Sequence, residues 1–279
     1  MADLLGSLPQ MPFPLVMGIV NTTPDSFSDG GNFITVEAAV NHGIRLLDDG
    51  ADILDIGGES TRPGAEAVTT DEELRRVIPV IEGIRAIQPN CVISIDTSKA
   101  DVAQRAVEAG AQMINDVSAG VFDSRMFSVA VSANVPYVLM HMQGKPRTMQ
   151  QNPHYGNVIE EVYSFLELRI QAARDAGVNN CIADVGIGFG KSIDHNLTLL
   201  RHHTRFLELG VPMLLGFSRK TMLGKITGIE SPASRDEATA LLHALLAQSG
   251  ASIIRVHDVS RITLLKKLYN ALYAPDCEA

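Results

Sequence analysis

Short apolar runs recur along the chain: LVMGIV from Leu15, DILDI from Asp52, CVISI from Cys91, QMIND from Gln112, VPYVLM from Val135, CIADV from Cys181, PMLLG from Pro212 and SIIRV from Ser252. None shows the strict alternation of a strand with one wet face, so they read as parallel strands covered on both sides. Helical patterns separate them. Val40, Ile44 and Leu47 recur at helical spacing before Gly50. Thr70 with Glu73 reads as a capping box ahead of Leu74, Val77, Ile78 and Ile81. KADVAQRAVEAG and NVIEEVYSFLELRIQAARDAG each close on a glycine suited to a helix C-terminus, and Leu264, Leu265, Leu268 and Leu272 pattern the last helix. Eight strands alternating with helices predict an α/β protein of the (β/α)8 TIM-barrel class, with a doubly wound open sheet as the competing architecture. No linker or repeat divides the chain, so residues 1–279 are expected to form one domain with its core at about 15–275.

Composition narrows the function classes. A formal net charge of −9 with no Lys/Arg cluster argues against nucleic acid as a partner. Cys91, Cys181 and Cys277 have no paired spacing, which suits reduced thiols. The opening MADLLGSLPQMPFP lacks a basic segment followed by an apolar one, and no apolar run is long enough to span a membrane. A soluble cytoplasmic protein without a membrane partner is expected.

A barrel collects its chemistry at the C-terminal ends of its strands. There the sequence places Asn21, Asp55 with Thr61 and Arg62 beyond it, Asp96, Asn115 with Asp116, His141, Asp184, Ser218 to Lys220, and Arg255 with His257. Asp116 and Asp258 read as structural residues that cap or pair. The remainder divides by chemistry. Asp96, Asn115 and Asp184 are acceptors suited to a planar heterocycle with several N–H donors, whereas Lys220, Arg255 and His257 are donors suited to an anion such as phosphate. A two-part substrate follows. Asn21 offers an amide oxygen that could hold Mg²⁺ through a shared phosphate. DVGIGFGKS lacks the spacing of a phosphate-binding loop, and neither a G-x-S-x-G elbow nor an H-E-x-x-H zinc motif occurs.

MGIVNTTPDSFSDGG, DIGGESTRPGA, SIDTSKADV, INDVSAG, LMHMQGKPRTMQ, GIGFGKS, GFSRKTMLG and IIRVHDV, in this order from about Met17 to Val259, resemble the dihydropteroate synthase family of folate biosynthesis, the target of sulfonamides. The resemblance implies a homodimeric (β/α)8 barrel that joins 6-hydroxymethyl-7,8-dihydropterin diphosphate to p-aminobenzoate, with Mg²⁺. It implies pterin recognition by Asp96, Asn115, Asp184 and Lys220 with Asp55 in support, diphosphate binding by Arg255 and His257 together with Asn21 and Mg²⁺, and a place for Thr61 in the substrate site. Arg62, Pro63, Phe189, Lys220 and Thr221 would line the p-aminobenzoate pocket. Phe27 and Asp29 would close over the reacting centre, where Lys220, Arg255 and His257 also act. Val185 stands where the family commonly has proline, Thr22 where many members have valine, and Thr221 where serine is common. Two other readings are a corrinoid methyltransferase using methyltetrahydrofolate and a non-catalytic pterin-binding relative. A third makes Lys220 or Lys191 the Schiff-base lysine of an aldolase.

Overall fold

The eight apolar runs are eight strands. In the structure, a computed structural model that describes residues 13–23, 35–61, 64–247 and 250–273, the order is β1 Leu15–Asn21, α1 Val36–Asp48, β2 Ile53–Gly57, α2 Thr70–Ile87, β3 Val92–Asp96, α3 Ala100–Glu108, β4 Met113–Asp116, α4 Met126–Ala133 and β5 Tyr137–Met140. Then come α5 Val158–Asp175, β6 Cys181–Asp184, α6 Ile193–Arg201, β7 Met213–Leu215, α7 Thr221–Thr227, α8 Asp236–Leu245, β8 Ile253–Val256 and α9 Val259–Tyr273. All strand pairs are parallel, and β8 returns to β1 through Leu15↔Ile253 and Met17↔Arg255, closing the barrel. The open sheet is thereby excluded.

Alternate strand residues face opposite ways, so each strand feeds two cores. One set, including Val16, Leu54, Ile93, Ile114, Leu139, Ala183 and Ile254, packs outward under the helices. The other fills the barrel: Leu15, Met17, Ile53, Met113, Val138, Ile182, Leu214 and Ile253 form a separate buried cluster with Val92 against it. Two positions further along, the inward residues turn polar at Asp55, Asn115, Asp184 and Arg255. That change marks where the packed core stops and the mouth begins.

Two helix expectations need correction. The cap of α2 is Thr69, whose hydroxyl accepts from Glu72 N, one residue earlier than the Thr70–Glu73 box. Glu73 is instead fully buried and takes Lys99 Nζ at 2.5 Å. On α9 the buried residues are Val259 and Ile262, while Leu264, Leu268 and Leu272 are 60%, 58% and 74% exposed. Three of the four patterned leucines therefore face away from this chain's own core, while Leu265 packs against it.

Candidate active site

Asp55 lies deepest in the mouth, fully buried on β2, and organises its neighbours. Asn115 Nδ2 donates to Asp55 Oδ2 at 2.9 Å, and Arg255 Nε donates to the same oxygen at 2.6 Å. Arg255 Nη2 also donates to Asp96 Oδ2 at 2.7 Å. The sequence placed Arg255 with the anion-binding donors. In the structure its guanidinium lies across two carboxylates of the acceptor set, so the two chemistries interlock there. Asp55 Oδ1 is buried with no hydrogen-bond partner, beside a site that has more carboxylate than cation.

Burial, more than that imbalance, sets the protonation of the mouth. Burial raises Asp96 to about 7 against the pull of Arg255, and the charge of Asp55 adds to the rise. Asp184, on β6, is raised by burial to about 6, although Gly186 N donates to its Oδ1 at 2.8 Å. This hydrogen bond, closed by Gly186 at φ +66°, aims the carboxylate with Val185 in the turn. Lys220 is lowered to about 8, first by burial and then by the charge of Arg255.

Lys220 stands at the N-cap position of α7 without a side-chain cap and reaches the loop after β6, placing its Nζ 3.9 Å from the ring centroid of Phe189. This cation–π contact joins the loops after β6 and β7. His257 Nδ1 meets Ser218 Oγ at 2.9 Å, and His257 N donates to the same oxygen at 3.2 Å. The mouth thus brings together Asp55, Asp96, Asn115, Asp184, Lys220, Phe189 and Arg255, with His257 held against Ser218. Thr61 and Asn21 are half-buried at the ends of their segments, and Thr221 is exposed on the first turn of α7. Thr22 Oγ1 donates to the Gly57 carbonyl at 3.0 Å, so its hydroxyl helps tie β1 to β2. Phe27, Asp29, Arg62 and Pro63 lie outside the described residues.

Asp116 and Asp258 are structural, as expected. Asp116 accepts from Ser118, Gly120 N and Tyr137 Oη, fixing the turn after β4. Asp258 accepts from Ser260 Oγ and Arg261, capping α9.

Sequence reasoning undervalued Lys191. Only 2% exposed, its Nζ contacts His141 Nδ1 at 2.9 Å and donates towards the carbonyls of Gly186 at 2.9 Å, Phe189 at 3.0 Å and His141 at 3.2 Å. Burial lowers Lys191 to about 7 and His141 to about 2, which keeps the imidazole neutral. An amine enclosed by three carbonyls has no approach for a carbonyl substrate, which removes Lys191 as a Schiff-base lysine. A lysine ending a glycine-rich loop beyond a buried strand was the available signal.

A family model described as pterin binding enzyme matches residues 17–257. The chain is 44% identical over 261 residues to the dihydropteroate synthase of Haemophilus influenzae, covering 92% of this chain and 94% of that protein. The chain belongs to the dihydropteroate synthases, within the pterin-binding enzyme family. Solved structures of that family superimpose closely. The Xanthomonas albilineans enzyme with 4-aminobenzoic acid has a TM-score of 0.88 at 50% identity, covering 94% of each chain. The Yersinia pestis enzyme with a sulfonamide drug also scores 0.88, at 40% identity, covering 94% of this chain and 95% of that one. Another Xanthomonas albilineans structure of the family holds 7,8-dihydropteroate.

Proposed function

We propose that the barrel mouth joins 6-hydroxymethyl-7,8-dihydropterin diphosphate to p-aminobenzoate by a dissociative substitution at the pterin methylene, giving 7,8-dihydropteroate and pyrophosphate. The observation that carries this reading is the polar mouth above the apolar floor, where Asn115 and Asp184 follow the floor residues and Asp96 lies one inward step beyond Ser94 on β3. A flat ring with several N–H donors satisfies such a layer, whereas an aliphatic substrate would leave buried acceptors unpaired at about 1–3 kcal/mol each.

The aromatic amine is neutral at pH 7, so its lone pair needs no prior deprotonation. The C–O bond breaks with its electron pair passing to the departing diphosphate. The electron-rich dihydropterin delocalises the positive charge left on the methylene, and the Asp96 and Asp184 carboxylates stabilise that cation. The amine nitrogen then forms the C–N bond and gives up one proton to solvent. Arg255, His257 and Thr61 bind the diphosphate; loss of one such electrostatic contact typically costs about 3–4 kcal/mol at the transition state. Binding the pterin frees Arg255 for this task only in part, because Asp55 keeps its grip on Nε. Phe189, Lys220 and Thr221, with Arg62 and Pro63, form the p-aminobenzoate side, where a sulfonamide would compete. Phe27 and Asp29 close over the centre.

Among the described residues no cluster of three His, Cys, Asp or Glu side chains could hold a metal by itself. A single amide oxygen at Asn21 fits a different arrangement, in which Mg²⁺ is shared between one protein ligand and the substrate phosphates. When bound there, the ion would neutralise charge on the departing oxygens. The one closed barrel supports a single domain, and the free thiols of Cys91 and Cys181 suit a reducing, cytoplasmic setting; among the described residues no helix is long and apolar enough to cross a membrane.

The outward leucines of α9 and the exposed Leu241 and Leu245 of the neighbouring α8 support a homodimer built on that helix pair. Leu268→Glu should convert a dimer to a monomer in sedimentation; a wild-type monomer at micromolar concentration would rule this out. The function itself is tested by pyrophosphate release from the pterin diphosphate, with and without p-aminobenzoate. Release should depend on p-aminobenzoate and yield 7,8-dihydropteroate, and its absence would refute the reading.

A further inference from the structure

The loop after β6, residues 185–190, is held by its carbonyls. Gly186 and Phe189 carbonyls accept from Lys191 Nζ, Gly188 accepts from Gln150 Nε2, and Gly190 accepts from Tyr155 Oη at 2.9 Å. Gly186, Gly188 and Gly190 all have positive φ, at +66°, +85° and +63°. The loop lies directly on the exit of β5: a Cβ on Gly186 would stand 1.9 Å from the His141 carbonyl, and one on Gly190 2.4 Å from that of Gln143. Lys191 reaches from the end of this loop back into the seam, where its ammonium ties β5 to β6.

The two functional groups flanking the seam depend on it unequally. Asp184 belongs to β6 itself, paired with Met140, and its carbonyl accepts from His141 N at 3.0 Å. Phe189 has no strand to hold it. Its backbone is fixed by Lys191 and by the turn that its N–H closes on the Gly186 carbonyl at 3.1 Å, yet its ring must meet Lys220 Nζ at 3.9 Å. A buried ammonium in this seam is costly unless every N–H is matched, and a purely apolar seam would pack without that cost.

We propose that Lys191 is a positioning residue for the p-aminobenzoate half of the site, acting through the carbonyls of Gly186 and Phe189 to hold the Phe189 ring against Lys220. The proposal rests on the reading above that Phe189 and Lys220 line that half.

Lys191→Met keeps the chain length and removes the three donors. In the full-length protein, KM for p-aminobenzoate should rise at least tenfold, while pterin affinity by calorimetry stays within about threefold of wild type. A merely structural lysine predicts the other pattern: a lower melting temperature and a smaller active fraction, with both substrate affinities unchanged. An unchanged KM for p-aminobenzoate, or equal losses for both substrates, overturns the proposal. Lys191→Gln, which retains two amide N–H donors, should fall between the two and provides the same comparison if the methionine variant does not fold. Its KM for p-aminobenzoate must also rise above wild type, and no rise overturns the proposal equally. Wild-type protein that fails to turn over p-aminobenzoate would instead refute the functional reading and is distinguished by being measured first.

Discussion

Two layers of one barrel interior, a single inward step apart, are made from opposite materials. The lower layer is Leu15, Met17, Ile53, Met113, Val138, Ile182, Leu214 and Ile253, a fully buried apolar cluster. The upper layer carries Asp55, Asn115, Asp184 and Arg255 on continuations of the same strands. Backbone geometry and pairing are the same in both, so the difference lies in what each layer needs from outside. The floor is satisfied by its own contacts. The mouth holds several buried carboxylates around few cations and leaves Asp55 Oδ1 unpartnered, so its polar groups are not all satisfied by one another. Fold stability and recognition are therefore separable along a strand, a few ångströms apart.

This separation can be broken most strongly from below. Leu214→Ala removes a fully buried floor side chain and should cost about 2–5 kcal/mol in denaturant unfolding, with pterin affinity by calorimetry within about threefold of wild type. A large loss of affinity would show that the layers are coupled. From above, Asp184→Ala should weaken pterin binding by about 2–3 kcal/mol, the worth of hydrogen bonds to a charged group, with little loss of stability. Unchanged affinity in that titration would eliminate Asp184 as a pterin ligand.

The smallest and sharpest effect is one of pH. Because burial raises Asp184 to about 6 in the fold, the carboxyl's contribution to stability is fully present below its unfolded value near 4 and is lost as pH rises through 6. Pterin N–H donors require the ionised form, so affinity should move the opposite way and fall by up to about tenfold per pH unit below 6. Urea titrations and calorimetry between pH 5 and 8 should show stability and affinity changing in opposite directions, and Asp184→Asn should flatten the contribution of this group to both. Parallel trends would contradict the assignment.

The architecture was legible in the sequence because parallel strands buried on both faces leave unmistakable apolar runs, and because polar residues at their ends are too expensive to be accidental. What escaped has specific causes. Thr69 and Thr70 each have a glutamate three positions on, so local chemistry alone could not choose the cap, and the contact of Glu73 with Lys99, 26 residues away, decided it. Leu264, Leu268 and Leu272 are spaced as a buried stripe, but periodicity cannot say whose surface covers it. The ion pair of Arg255 with Asp55 escaped because only closure of the barrel brings β8 beside β1 and places the guanidinium against a residue 200 positions earlier in the chain. Lys191 is weighed from sequence only as a Schiff-base lysine, because most of its partners are main-chain carbonyls, which carry no signature in sequence.

The sealed floor has a consequence for traffic. A barrel plugged at one end is a cul-de-sac, so both reactants arrive and both products depart through the same opening. In the proposed reading the ring that meets Asp184 and Asn115 sits against the floor and the second reactant lies above it between Phe189 and Lys220, so the first must be in place before the second covers it. The order of arrival is thus written into the depth at which each partner sits.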